Sequence, residues 1–263
     1  MPPAASQQPA PRRMNTPHDT SGQIRIWRHF QNAAPESFTA ARPRLNWLLA
    51  EVALRATNAR PDVLNIGSGD GYFEHQGLGR GWAIQSLDPD AEAVARLVDA
   101  GIDARVGMIE QLPQRSESLD FVVASEVLEH LSDDQRLAGL AEIARVLRIG
   151  GWFLGTVPYR EILADQQTAC PCCGAVFHRW GHQQSFDYRM IRDQFGPWFE
   201  IVSLGCTAFV PWRGRGVRGA VKSLVRLALA KLGEPVAFPT LYWIARKVRT
   251  PASLRLEPAA APA

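Results

Sequence analysis

The chain has no apolar run near the ~18 residues that a membrane-spanning helix needs. Its opening segment, MPPAASQQPAPRRMNTPHDTSG, is rich in Pro, Ala, Gln and Ser and lacks the apolar h-region of a secretory leader. Cysteine is scarce: there are 4 in 263 residues, three of them crowded at 170, 172 and 173, unlike the spread framework of a stapled secreted scaffold. A cytoplasmic, reducing compartment is the expectation. Net charge is also small, at +3, so no general polyelectrolyte behaviour is implied. Acid is missing altogether between Glu200 and Glu234, where Arg213, Arg215, Arg218, Lys222, Arg226 and Lys231 all fall. That basic patch is short and has no RNA-binding module beside it, which argues against nucleic acid as a partner. No internal repeat is visible.

With 46% apolar residues, the chain can bury the core of one large domain. Leu45, Leu48, Leu49, Val52 and Ala53 mark one face of a helix over Glu36–Thr57. Strand Val63–Ile66, a helix from near Tyr72, and strand Ala83–Leu87 ending at Asp88 follow. Pro89 is expected in the first turn of helix Asp90–Ala100. Strands Asp103–Val106 and Leu119–Ala124 come next, the latter apolar enough to be covered on both faces. A helix from Ser132 to Leu147 is closed by Gly150-Gly151, and strand Trp152–Val157 follows. Further on come helix Phe186–Phe195, strand Glu200–Leu204 and strand Leu241–Ala245. The alternation argues for a doubly wound α/β sheet of seven strands, Rossmann-like and mostly parallel, with an antiparallel last strand. The expected organisation is a disordered segment 1–23, a domain 24–249 carrying inserts 159–184 and 206–239, and a disordered tail 250–263.

The most informative stretch is VLNIGSGDG at 63–71, an apolar strand running into a turn with glycine at every second position. Glycine lets backbone approach a ligand and turn sharply. An acid at the tip of the next strand, Asp88, can accept from ribose hydroxyls, so the pair suits a nucleoside-bearing cofactor. The spacing is G-x-G-x-G, with Tyr72 next, whereas dinucleotide enzymes favour G-x-G-x-x-G; this disfavours a nicotinamide dehydrogenase.

Taken with GMIEQLP at 107–113, LDFVVASEVLEHL at 119–131 and ARVLRIGGWFLGTVP at 144–158, the chain resembles the class I S-adenosylmethionine-dependent methyltransferases over about 36–158. The resemblance implies S-adenosyl-L-methionine held by Asn65, Gly67, Ser68, Gly69, Gly71, Asp88, Pro89, Met108, Ile109 and Ser125. It also implies a small-molecule, sugar- or lipid-linked acceptor above strands four and five. Candidates for the base that an acceptor hydroxyl or acidic carbon requires are Glu126, His130 and Tyr159. Two positions depart from the family pattern. Asn65 stands where the family usually has an aspartate, and Met108 where many relatives have an acid for the adenine. They motivate an alternative, a catalytically lapsed binding module of the same fold.

Two further features lie outside the resemblance's core. Cys170-Pro-Cys172-Cys173-Gly174 forms a C-x-x-C-G turn, and His178 and His182 follow four residues apart. Cys170, Cys173, His178 and His182 make a complete tetrahedral donor set for structural zinc, with Cys172 as a substitute ligand. Their spacing is too tight for a DNA-reading finger, so the expected product is a stapled lid. A reduced thiol cluster with solvent-facing histidines is the alternative. In the second insert, Val217–Leu232 reads as an amphipathic helix with Val217, Val221, Leu224 and Ala228 on one face. Either it caps the sheet with its apolar side, or residues 213–232 touch an anionic membrane surface or a phosphate-bearing acceptor.

Overall fold

A computed structural model describes residues 20–33, 35–210, 216–234 and 237–248. The chain opens with α1 (Thr20–Arg28), a π-helical turn (His29–Ala33) and a 3-10 segment (Pro35–Ala41). Then come α2 (Arg42–Arg55), β1 (Asp62–Ile66), α3 (Tyr72–Gly79), β2 (Ala83–Asp88), α4 (Ala91–Asp99) and β3 (Asp103–Val106). The second half holds β4 (Leu119–Ser125), α5 (Asp133–Val146), β5 (Leu147–Pro158), the hairpin strands β6 (Gln167–Ala169) and β7 (Val176–His178), α6 (Tyr188–Phe195), β8 (Phe199–Thr207), α7 (Val217–Lys231) and β9 (Thr240–Lys247).

Seven strands form one sheet in the order β3-β2-β1-β4-β5-β9-β8. All pairings from β3 to β5 are parallel, and β9 runs antiparallel to both β5 and β8. This is the doubly wound, Rossmann-like sheet expected, with one reversed strand. Period-two alternation sends Leu64, Val122 and Ala124 to one face, against Leu140 and Ile143 of α5 and Ile191 and Phe195 of α6. Val63, Phe121 and Val123 face the other way, against Leu48, Leu49 and Val52 of α2, Phe73 of α3 and Leu97 of α4. Each fully buried Val, Leu, Ile or Phe side chain among these contributes roughly 1.5–3 kcal/mol. The chain winds outward from β1 to β3 and then returns to β4, so β1 and β4 flank the switch point where their carboxyl ends leave a crevice.

Boundaries differ from the sequence expectation where local chemistry intervenes. The helix expected from Glu36 begins as α-helix only at Arg42, with proline in its first turn, because Pro43 cannot continue a helix from upstream. Pro89 lies one residue before the helix cap Asp90, outside the first turn. Gly150 and Gly151 sit inside β5 and do not close α5. Leu147 already pairs with Leu119, and a register shift before Phe121 takes up the extra residues. Ser132 caps α5 through a capping box with Gln135. Residues 20–23, read as part of the leading segment, form the first turn of α1. The rest of that segment, the tail from 249, and Arg213 and Arg215 lie outside the described residues.

Helix α7 faces opposite to the capping expectation. Ser223 and Ala230 are buried, and Ala230 packs with Ala208, Val210 and Ala237. The apolar stripe Val221, Leu224 and Val225 is exposed, as are Arg218 and Lys222.

Candidate functional site

A cavity of about 880 Å³ opens at the carboxyl ends of β1, β2 and β4. Gly67, Gly69 and Gly71 all have positive φ (83°, 55° and 78°), the left-handed backbone that alternating glycines permit. A Cβ at Gly67 would stand 2.8 Å from Val127 Cγ2, so a side chain there would have to push Val127 aside as well as adopt the left-handed backbone. Asp88 ends β2 almost fully buried. One of its oxygens accepts from the Ser68 N–H (2.7 Å), the Ser68 hydroxyl (2.8 Å) and Gln31 Nε2 (3.0 Å), and the other from the Asp90 N–H (2.8 Å). Burial pushes the Asp88 carboxyl above its usual range against those donors.

Gln31, on the π-helical turn, has its Oε1 buried without a partner among the described residues. An orphan acceptor beside a strand-tip carboxylate fits a ribose, whose hydroxyls donate. Pro89, Met108, Ile109 and Ser125 also line the cavity. The Ser125 hydroxyl accepts from Arg44 Nε at 2.9 Å.

Asn65 is only 3% exposed. Its amide donates to the Gly67 carbonyl (3.1 Å) and to Glu74 Oε1 (2.7 Å), and Ser86 Oγ donates to that same Glu74 oxygen. The carboxylate missing at position 65 is thus present nine residues later in the chain, one hydrogen bond away. Burial first, offset by the bonds from Asn65 and Ser86, raises the Glu74 carboxyl to about 7.

The same cavity is lined by Glu126, His130 and Tyr159. Glu126 has φ 57°, rare for a residue with a Cβ. Its Oε1 accepts from Thr156 Oγ1 at 2.9 Å, and Arg44 lies 3.8 Å from that oxygen. His130 follows the end of β4 in the 3-10 turn Leu128–His130 and takes an indole N–H from Trp27 at 3.2 Å. Burial and the neighbouring His182 and His178 lower its pKa to about 3. Tyr159 packs on Tyr188 with ring centroids 5.2 Å apart.

The Cys/His insert is split by its own hairpin. Cys170 opens the turn, where its carbonyl accepts from the Gly174 N–H. His178 pairs with Gln167 at the hairpin base, some three residues, or about 10 Å, along the ladder. The structure therefore gathers His178 and His182, with stacked ring centroids 4.5 Å apart, and leaves Cys170 and Cys173 away from them. The partner that sequence spacing missed is Glu161. Its oxygens lie 2.5 Å from His182 Nδ1 and 3.4 Å from His178 Nε2. Gln31, Arg44, Glu74 and Glu129 were also missed. Only Glu129 carried a local signal, as an acid set among the apolar Val127, Leu128 and Leu131.

Residues 64–155 match a family described as a methyltransferase domain. Among curated proteins, a probable S-adenosylmethionine-dependent methyltransferase of Mycolicibacterium smegmatis is 38% identical over 101 residues, 38% of each chain. A malonyl-[acyl-carrier protein] O-methyltransferase of Serratia marcescens is 30% identical over 143 residues, covering 54% of this chain and 55% of its own. The chain thus spans about two fifths to just over half the length of these relatives.

Among solved structures, the fold is shared with the Burkholderia thailandensis 1,6-didemethyltoxoflavin-N1-methyltransferase bound to its substrate and S-adenosylhomocysteine. The TM-score is 0.59 at 17% identity, covering 92% of this chain and 94% of that one. It is shared too with a putative methyltransferase in complex with a Haloferax volcanii activator, with TM-score 0.61 at 18% identity, covering 85% and 98%.

Proposed function

Residues 64–155 belong to the class I S-adenosylmethionine-dependent methyltransferase family, and from that premise we propose that the chain transfers a methyl group from S-adenosylmethionine to a small-molecule, glycan- or lipid-linked acceptor. One observation carries the reading: Gly67, Ser68, Gly69 and Asp70 of the glycine turn and buried Asp88 line the same cavity as Glu126, His130 and Tyr159. The bound cofactor would supply an activated methyl on a good leaving group, so the chain's task is alignment and exclusion of water. Asp88, Ser68 and Gln31 would hold the ribose, with Met108 and Ile109 against the adenine.

For an acceptor hydroxyl, Glu126 is the best-suited proton acceptor of the three rim residues. Its carboxylate is fixed by Thr156, whereas an imidazole with a pKa near 3 is a weak base at neutral pH. Asn65 does not favour a lapsed enzyme, since its amide ties the glycine turn to a carboxylate. The exposed stripe of α7, with Arg218 and Lys222 along one edge, supports a second element of the reading: the chain rests on an anionic membrane surface while it meets a lipid-linked acceptor.

Calorimetry with S-adenosylhomocysteine tests the core claim. Asp88→Asn should bind at least about tenfold more weakly than the parent, the usual scale for losing hydrogen bonds to a charged group. No binding by the parent even at millimolar ligand would sink the reading.

A further inference from the structure

Among the described residues, four other than glycine hold a left-handed backbone: Glu117, Glu126, Arg160 and Phe238. Glu126, Arg160 and Phe238 all line the cavity that the glycine turn and Asp88 line. Such a conformation costs free energy in a residue with a Cβ, persists only where its surroundings enforce it, and clusters at functional sites.

Strand register brings Arg160 and Phe238 to one place. The β5–β9 ladder ends with Pro158 opposite Thr240, and the Tyr159 N–H then donates to the Pro239 carbonyl at 2.9 Å. The next residues on the two strands are Arg160, at φ 50°, and Phe238, at φ 49°. Arg226 joins them from α7. Its Nε donates at 3.0 Å to the carbonyl of Ala237, the residue before Phe238. Ala237 is buried with Ala208, Val210 and Ala230, so the anchor is a packed one.

Both arginines keep donors to spare. Arg226 has used Nε, and neither of its Nη groups has a partner among the described residues. The Arg160 guanidinium stands 5.7 Å from the centre of the Tyr159 ring, and among the described residues it makes no hydrogen bond or ion pair. Its neighbour Glu161 is taken by His182 and His178. Asp165 also lines the cavity but is ion-paired to neither arginine. Arg160 and Arg226 are exposed, as is the Phe238 side chain at 71%. In the sheet, β5 lies three strand spacings from β2, about 14 Å. This lip is therefore well apart from the strand tip that carries Asp88.

We propose that Arg160, Arg226 and Phe238 form a subsite for a phosphate group carried by the methyl acceptor. A guanidinium presents paired donors that match phosphate oxygens, and two of them can share a group with three or more acceptor oxygens. The Phe238 ring offers apolar contact to the carbon chain or ring beyond the phosphate. The subsite anchors the acceptor and takes no part in bond making. It deepens the methyltransferase reading and rests on it for its purpose. The same phosphate chemistry has two sources, a lipid phosphate or a soluble sugar phosphate.

The test uses the full chain in calorimetric titrations with inorganic pyrophosphate, octyl phosphate and glucose 1-phosphate. The parent should bind pyrophosphate, and Arg160→Gln and Arg226→Gln should each bind it at least about tenfold more weakly. Lys222→Gln, which changes a basic residue of α7 outside the cavity lining, should bind it like the parent. Tighter binding of octyl phosphate than of glucose 1-phosphate, weakened in Phe238→Ala, supports the subsite with a lipid-linked acceptor. The reverse order supports it with a soluble one. No pyrophosphate binding by the parent at millimolar concentration, or unchanged affinity in both arginine variants, would overturn it. An equal loss in Lys222→Gln would also overturn it, by showing general attraction to a basic surface. Should Arg226→Gln fail to fold, Arg160→Gln decides alone. S-adenosylhomocysteine binding by the same parent sample separates the two claims. Phosphate binding without it overturns the methyltransferase reading and leaves the anion site, and the converse overturns the subsite only.

Discussion

The side-chain amide of Asn65 donates a 2.7 Å hydrogen bond to Glu74 Oε1, tying the strand before the glycine turn to the helix after it. Glu74 is fully buried, and its pKa is raised from the ordinary 4.5 to about 7. A carboxyl that keeps its proton to higher pH folded than unfolded adds stability below about 4.5, and that share is lost as pH rises towards 7. Urea unfolding of the parent should therefore give a midpoint that falls across this window, and Glu74→Gln should flatten the fall. Equal slopes for the two proteins would show that Glu74 does not titrate there.

Gly155 lies where β4, β5 and β9 meet. A Cβ there would stand 2.2 Å from both the Ala124 carbonyl and the Trp243 ring, and neither can move aside inside the sheet. Gly155→Ala should cost about 2–3 kcal/mol, the upper range for overpacking a core, read from denaturant midpoints. A loss under about 0.5 kcal/mol would mean that the strands can separate locally.

The exposed face of α7 predicts binding to phosphatidylglycerol-containing vesicles but not to neutral ones. Cosedimentation should fall in the Arg218→Glu, Lys222→Glu double variant, since each basic residue near such a surface contributes about 1 kcal/mol. It should also weaken as ionic strength rises from about 0.1 M to about 1 M, which shortens the screening length from about 10 Å to about 3 Å. Equal binding to neutral vesicles would remove the electrostatic part of the argument.

What the sequence disclosed and what it concealed divide along physical lines. The glycine turn and Asp88 were legible because their conformational demands are local. The strand order was legible because apolar runs alternate with helical spacing. Glu161 was not, because its contacts with His178 and His182 form only once the β6–β7 hairpin has folded. The Cys/His spacing suggested a single four-ligand knot, yet strand register placed the thiols and imidazoles at opposite ends. Asn65 read as a missing charge because its compensating carboxylate belongs to the next helix. For α7, the apolar stripe was visible in the sequence, but the packed face is the one carrying buried Ser223 and Ala230, the latter against Ala208 and Val210.

Trp27 reaches His130, and Gln31, one helical turn further along the same short segment, reaches Asp88. A single stretch of chain therefore touches both the Asp88 side and the His130 side of the cavity. Displacing it far enough to free Asp88 also lifts the indole from the imidazole. If ligands on the two sides each shift this segment, their affinities are coupled, and by the same factor in both directions.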